Sequence, residues 1–180
     1  MRKAVLYLVL VPMLAYATAA QAKNRDKAWE FGAYAAHVDA DRDAGVDNAV
    51  GPELRFGYNV TAKVGAELLY GRTSTEVLGI DTEFQRVAVV VTGNFLTDRE
   101  ISTIPYITAG LGIITGEVDT EPEAFDAGTI LMLGVGARTF WHDDWGVRYE
   151  VRYNHQDWFE ENQDEYVLAL GITYLLGGEK

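Results

Sequence analysis

In the segment Trp145-Gly146-Val147-Arg148-Tyr149-Glu150-Val151-Arg152-Tyr153, apolar and charged residues alternate without interruption from Val147 onward. Successive side chains of a β-strand point to opposite faces of the sheet. The valines and tyrosines therefore share one face, and the arginines and the glutamate share the other. This period-two pattern predicts a strand with one apolar and one polar face. Residues 166–176 repeat it, with leucine, isoleucine and tyrosine on one face.

The rest of the chain extends this pattern to an all-β fold with eight strands. We expect the strands at residues 28–38, 51–60, 62–73, 82–95, 102–115, 126–141, 145–155 and 164–176. Short connections near residues 59–61, 97–100 and 142–144 alternate with longer, mostly acidic ones at 39–50, 74–81, 116–125 and 156–163. This arrangement predicts an eight-stranded antiparallel up-and-down transmembrane β-barrel, because strands of about ten residues are long enough to cross a membrane.

The first 22 residues have the organisation of a secretory signal peptide. Basic Arg2-Lys3 precedes an apolar run at 4–14, and small residues lead to Ala20-Gln21-Ala22. This order predicts cleavage after Ala22, which leaves residues 23–180 as one barrel domain. The apolar run is short for a membrane-spanning helix, so a retained membrane anchor is the less favoured alternative.

The composition excludes several classes of protein. The chain has 180 residues with 27 acidic and 15 basic side chains, a formal net charge of −12. That charge argues against nucleic-acid binding, because phosphate repels a negative surface. The absence of cysteine excludes disulfides, thiolate metal sites and cysteine nucleophiles. The sequence also contains no P-loop, dinucleotide-binding fingerprint or HExxH motif.

Alternation leaves open which face lines the interior, since a soluble lipid-carrying barrel turns its apolar face inward and an outer-membrane barrel turns it outward. The polar face carries charges of both signs: Glu30, Glu53, Arg55, Lys63, Glu67, Arg86, Arg138, Arg148, Glu150 and Arg152. We expect these charges to pair within a narrow lumen. Inward glycines are expected to leave room for them: Gly110, Gly112, Gly134, Gly136 and Gly171.

The apolar face favours the membrane barrel. Its mid-strand residues carry no charge: Leu54, Phe56, Val64, Ala66, Leu68, Val87, Val89, Val91, Ile107, Leu111, Leu131, Leu133 and Val135. Aromatic residues are expected to form two belts, since Trp and Tyr favour the headgroup region. Trp29, Phe31, Tyr58, Phe95, Trp141, Trp145 and Tyr174 lie near the termini or short turns, and Tyr70, Tyr153 and Tyr166 lie near the long loops.

Two motifs resemble those of a known family. The first is Ile104-Pro105-Tyr106-Ile107-Thr108-Ala109-Gly110-Leu111-Gly112, and the second is the hairpin from Gly134 to Tyr153. Both resemble the eight-stranded transmembrane domain of outer-membrane protein A and its relatives. The resemblance implies a place in the cell outer membrane, contact with outer-membrane lipid and lipopolysaccharide, and biogenesis through periplasmic chaperones and the barrel-assembly machinery.

The acidic segments do not match a specific metal-binding motif. An EF-hand loop beginning at Asp39 needs Gly at its sixth position and Glu at its twelfth, but these positions hold Ala44 and Val50. We interpret this loop, residues 117–123 and the acids Glu160, Glu161, Asp164 and Glu165 as solvated surface. One hypothesis is that the loops share Mg²⁺ or Ca²⁺ with lipopolysaccharide phosphates. No metal ligand and no cofactor is assigned.

His155 is the strongest enzyme candidate. Outer-membrane lipid A deacylases carry a catalytic histidine at the outer end of the seventh strand, with a serine two residues later, where this chain has Asp157. Ser74 and Ser102 lie in other connections, and His37 and His142 are expected at opposite ends of the barrel, so the histidines do not form one zinc site. No catalytic residue is assigned.

The sequence therefore favours a non-enzymatic outer-membrane barrel with a structural or surface-interaction role and acidic extracellular loops, whose extracellular partner it does not identify. Three alternatives remain open: a small-solute channel, a lipid A-modifying hydrolase that uses His155, and a soluble periplasmic lipid-binding barrel.

Overall fold

The computed structural model describes residues 24–39, 48–77, 80–95, 102–118, 127–158 and 161–179. Eight strands lie within them: β1 Asp26–Asp39, β2 Ala49–Asn59, β3 Val64–Val77, β4 Ile80–Asn94, β5 Thr103–Val118, β6 Gly128–Phe140, β7 Trp145–Trp158 and β8 Glu161–Glu179. Each strand pairs antiparallel with the next, and β1 pairs with β8, so the sheet closes. The predicted fold class is confirmed. No helix in the described part of the chain is long and apolar enough to span a membrane.

The strand limits lie within four residues of the predicted ones, but two hairpins are longer than expected. Val77 pairs with Ile80, and Trp158 pairs with Glu161, so strand replaces most of the predicted loops at 74–81 and 156–163. These segments carry many polar residues, so their sequence resembles a loop. A paired strand that extends beyond the membrane, however, needs no apolar face, because water surrounds it. We call the end with these hairpins the loop end, and the end with the chain termini the turn end.

The outer surface is apolar and the interior is charged, which excludes the soluble lipid-carrying alternative. The predicted outward residues are exposed, among them Leu111 at 68% and Val89 at 60%. Aromatic rings border this surface at both ends: Trp145 contacts Tyr174 at the turn end, and Tyr153 contacts Tyr166 at the loop end. On β8, Tyr166 and Tyr174 are eight residues apart, which is about 27 Å along the strand and about 20 Å across the membrane at the usual strand tilt, close to the height of an outer-membrane apolar band.

The lumen is layered rather than uniformly polar. At the turn end, Ile104, Phe140 and Leu175 form a buried apolar cluster, and above it lies a layer of charged residues. Toward the loop end, two apolar clusters line opposite walls: Leu69, Ala88, Val90, Ile130 and Met132 form one, and Ala36, Val38, Val167 and Ala169 form the other. Apolar side chains fill these levels without hydrogen-bond partners, which charged groups would require.

Candidate functional site

Five arginines and five glutamates of the described chain face the lumen, and each is buried. They are Arg55, Arg86, Arg138, Arg148, Arg152, Glu30, Glu53, Glu67, Glu150 and Glu165. Two corrections to the predicted set follow. Lys63 is exposed, because it lies in the turn after β2. Glu165 is buried rather than solvated, because β8 begins at Glu161 and its inward alternation includes this residue.

Glu150 is the centre of the charged layer. Its two carboxylate oxygens accept hydrogen bonds from Arg55 Nη1 at 2.9 Å and Nη2 at 2.8 Å, the paired geometry of a guanidinium fork. Arg152 Nη1 lies 3.2 Å and Arg148 Nη2 3.3 Å from the same carboxylate. Tyr106 donates its hydroxyl proton to it at 3.0 Å. Three arginines therefore share one buried carboxylate.

Two further glutamates complete the layer on the other side. Glu67 accepts from Arg148 Nη1 at 2.8 Å, from Arg138 Nη2 at 3.2 Å and from the Thr92 hydroxyl at 3.0 Å. Arg138 also lies 2.9 Å from Glu30. Each carboxylate thus faces at least one guanidinium at contact distance, and the charges of the layer compensate one another.

Two tyrosines that the sequence analysis did not single out lie within this layer. The guanidinium of Arg55 lies 4.9 Å from the ring centre of Tyr34, and that of Arg148 lies 4.5 Å from the ring centre of Tyr106, both within cation–π distance. Tyr34 lies four residues after inward Glu30, and Tyr106 lies two residues before inward Thr108. Residues at even spacing share one face of a strand, so this spacing is the sequence signal that identifies both tyrosines as lumen residues.

Two of the five predicted inward glycines make room for these tyrosines. A Cβ atom at Gly136 would lie 2.5 Å from the Tyr106 hydroxyl, and one at Gly171 would overlap the ring of Tyr34. At Gly110 and Gly112 the nearest atoms belong to neighbouring strands. At Gly134 a Cβ atom would lie 2.6 Å from the Thr108 hydroxyl and 3.5 Å from Arg152 Cβ. Among the five glycines, the predicted role as space for arginine and glutamate side chains therefore applies only at Gly134, because the sequence does not show which inward side chain lies over which glycine.

A second ion pair crosses the lumen near the loop end. Arg86 of β4 donates to Glu165 of β8 at 2.9 Å and to the Thr73 hydroxyl at 3.0 Å. Asn154 bonds both Glu165 and Arg152, so this pair is joined to the charged layer. β4 and β8 lie on opposite sides of the barrel. The pair therefore connects opposite walls.

Residues that precede β1 close the turn end. Arg25 is buried, donates to the Gly177 carbonyl at 3.0 Å and to the Asp143 carbonyl at 2.7 Å, and pairs with Asp144. Asn24 donates to the Ala62 carbonyl. These contacts fasten the start of β1 to the end of β8 and to two turns.

The predicted enzyme candidate lies on the outer surface at the loop end. His155 of β7 is paired in register with Asp164 of β8, and its Nδ1 lies 2.8 Å from the Asp164 carboxylate. Tyr153 donates to the same carboxylate oxygen at 2.6 Å. His155 and Asp164 lie beyond the Tyr153–Tyr166 contact and hence outside the apolar band. Hydrogen bonds from His155 and Tyr153 lower the pKa of Asp164 below its ordinary value.

We expect replacement of His155 by alanine to raise the pKa of Asp164 toward that of an unstructured aspartate. In the folded wild-type barrel, the Asp164 carboxyl should stay ionised at pH values where a free aspartate is already protonated. Its contact with His155 and Tyr153 should be lost only as the pH falls through the lowered pKa. An NMR titration of the Asp164 carboxyl measures this shift. Tyr153→Phe should give a smaller rise, and an unchanged titration in His155→Ala would contradict the assignment.

The other candidates are not brought together. Ser74 lies on β3, across the barrel from His155, and Ser102 is buried at the turn end. His37 lies near the loop end of β1 and His142 in a turn-end connection, as predicted. No cluster of metal-binding side chains occurs among the residues that the structure describes. Most of the acidic loop at 39–50 and the segment 119–126 lie outside the described residues, as does the predicted signal peptide at 1–22.

Comparisons with known proteins agree with this architecture. The outer membrane protein beta-barrel domain family model matches residues 7–174. The structure of Neisserial surface protein A has a TM-score of 0.72 and 18% identity, and covers 83% of this chain and 99% of that one. OprG of Pseudomonas aeruginosa has a TM-score of 0.63 and 13% identity, with 86% and 98% covered. Yersinia pestis Ail, bound to the heparin analogue sucrose octasulfate, has a TM-score of 0.55 and 18% identity, with 86% and 100% covered. No curated protein sequence matches the chain significantly.

Proposed function

The chain belongs to the outer membrane protein beta-barrel domain family, and from that premise we propose that it is a non-enzymatic protein of structural or surface-interaction type. It is an outer-membrane barrel. In the proposal, the loop end faces the cell exterior and the closed turn end faces the periplasm. The barrel then serves as a rigid base that holds the acidic loops at the cell surface, where binding functions of such scaffolds commonly reside.

The filled lumen is the observation that carries this proposal. An eight-stranded barrel is just wide enough for side chains to fill its interior, and here the Glu150 carboxylate, the Arg86–Glu165 pair and the apolar cluster around Phe140 occupy successive levels. A continuous aqueous path would have to pass all three levels. These levels disfavour the small-solute channel.

We expect the purified barrel to show no discrete single-channel conductance in planar lipid bilayers. Passage of ions past Phe140 would require the buried cluster with Ile104 and Leu175 to open, and the charged layer above it to break its ion pairs. Phe140→Ala is the informative second variant. It widens only the apolar level of the lumen, so it should also produce no single-channel conductance. Reproducible unitary steps from the wild-type barrel would replace the proposal with a channel function.

The loop end is rich in acidic residues, which sets the chemistry of its partner. Residues 117–126 contain acids and no base, and residues 157–164 do likewise. In the structure of Ail the bound heparin analogue is a sulfated, anionic molecule, whereas an acidic rim repels such a ligand. We therefore propose a cationic partner, or lipopolysaccharide phosphates bridged by Mg²⁺ or Ca²⁺, for the loops of this chain.

Chelation tests the bridged form of this proposal. The amount of lipopolysaccharide that copurifies with the barrel should decrease when EDTA is added and recover when Mg²⁺ is restored, because carboxylates and phosphates repel each other without the cation. Binding that is indifferent to EDTA would remove the basis for cation bridging.

The His155–Asp164 contact keeps one catalytic alternative testable. The carboxylate can orient the imidazole, as in acyl-transfer enzymes, but Asp157 occupies the position where a serine nucleophile would be expected. Incubation of the barrel with lipopolysaccharide should release no fatty acid. Release that is abolished by His155→Ala would overturn the non-enzymatic assignment.

A further inference from the structure

An exposed aromatic pair and a carboxylate lie side by side on the outer surface at the loop end. The rings of Tyr153 and Tyr166 contact each other, with ring centres 5.7 Å apart, and Tyr166 is 57% exposed. Asp164 lies two residues before Tyr166 on the same face of β8, which places the two positions about 7 Å apart along the strand. A carboxylate therefore flanks the exposed tyrosine ring.

The carboxylate of Asp164 is held in one orientation by only one of its oxygens. Oδ1 accepts hydrogen bonds from both the Tyr153 hydroxyl and His155 Nδ1. Within the part of the chain that the structure describes, Oδ2 accepts no hydrogen bond. Oδ2 is therefore available to a donor from another molecule.

A second acid borders the same ring from the neighbouring strand. Asp39 of β1 is paired in register with Tyr166, so both residues lie on the outward face, and Asp39 is partly exposed. Among the described residues, neither Asp39 nor Asp164 forms an ion pair with a lysine or an arginine. On the other extended hairpin, by contrast, Glu83 pairs with Arg72. The negative charge beside Tyr166 is thus not compensated by a basic side chain of the described barrel.

We propose that this site binds the guanidinium group of an arginine in a basic protein, a proposal that rests on the cationic partner proposed above. An aromatic face attracts a cation within about 6 Å of the ring centre, and a planar guanidinium stacks on the ring of Tyr166 while its N–H groups donate to Asp164 Oδ2. Asp164 lies beyond the apolar band, so a cation that contacts it arrives from water. A metal ion fits less well, because the described residues bring no three metal-binding side chains together.

Loss of either part of the site should weaken the binding of an acetylated hexa-arginine peptide to the full chain in uncharged maltoside micelles. We expect Asp164→Asn to weaken it about fivefold and Tyr166→Leu about threefold, the sizes of one exposed ion pair and one exposed cation–π contact. Tyr166→Phe keeps the aromatic face and should bind like the wild type. Glu76→Gln is the matched control, because Glu76 is another exposed acid at the loop end, and at about 0.15 M salt a charge outside the site is screened.

Isothermal titration calorimetry measures these affinities, and heat-modifiable migration on gels confirms that each variant is folded. Equal weakening by Asp164→Asn and Glu76→Gln would overturn this site but leave the cationic partner of the loops in place, whereas no binding to the wild type would overturn both. A loss in Tyr166→Phe as large as that in Tyr166→Leu would show that the ring face is not the contact. Displacement of the peptide by added lysophosphatidylethanolamine would assign the site to a lipid headgroup instead of a protein.

Discussion

Replacing Glu150 by glutamine is expected to lower the free energy of unfolding of the barrel by about 3–5 kcal/mol. The substitution keeps the shape of the side chain and removes its charge. Arg55 then loses the paired acceptor that it contacts at 2.8 and 2.9 Å, and Arg148 and Arg152 each lose one of their carboxylate contacts. Removing one partner from a buried ionic cluster lowers the free energy of unfolding by more than the intact cluster contributes to it, because charges without a partner remain buried.

Denaturant unfolding of the barrel in lipid vesicles, followed by tryptophan fluorescence, measures this effect. Glu83→Gln is the matched control, because Glu83 is partly exposed and pairs with the exposed Arg72, and the loss of a surface ion pair costs about 0–1 kcal/mol. If both variants lost the same stability, the buried Glu150 would stabilise the barrel no more than a surface ion pair does.

Replacing Gly171 by alanine is expected to cost about 3 kcal/mol, at the upper end of the range for overpacked sites. The added methyl group would overlap both the carbonyl oxygen of Ala33 and the ring of Tyr34. The ring can move only by displacing the guanidinium groups of Arg55 and Arg148, which lie over it. The carbonyl belongs to the β1–β8 ladder, so its displacement would also disturb the pairing that closes the barrel.

Gly93→Ala is the control for this prediction. Gly93 faces outward on β4, and its added Cβ would contact only Ile107 at 3.5 Å, an ordinary van der Waals distance. We expect the folded fraction after refolding, read from heat-modifiable migration, to fall for Gly171→Ala and to be unchanged for Gly93→Ala. Equal folding of both variants would show that Tyr34 does not lie against Gly171.

Period-two alternation in eight successive segments, joined by alternating short and long connections, predicted the closed barrel, because in a membrane strand the two faces meet different solvents. It also predicted nine of the ten charged residues of the lumen, including Arg55 and Glu67, because every second residue of a strand faces the same side. It could not predict the apolar levels of the lumen. In β4 the run from Val87 to Val91 is apolar on both faces, which was the available sign that inward Val90 and Ala88 face other apolar groups.

The contact between His155 and Asp164 was beyond sequence reasoning for a different reason. Which residues face each other across a hairpin depends on the length of its connection. The sequence suggested a loop from 156 to 163, whereas the strands continue to Trp158 and from Glu161. Positions 155 and 164 therefore pair within the ladder, whereas the predicted limits only placed them at the two ends of a loop.

The charged layer also bears on how the barrel can form. Its partners are distant in sequence: Arg55 and Glu150 are 95 residues apart, and Arg152 and Glu53 are 99 apart. A sheet that is inserted but still open would expose arginines of β7 to lipid before the glutamates of β2 arrive, at a cost of several kcal/mol each. Such half-closed states are therefore sparsely populated, and we expect insertion and closure to occur as one cooperative, slow step, as high contact order also favours.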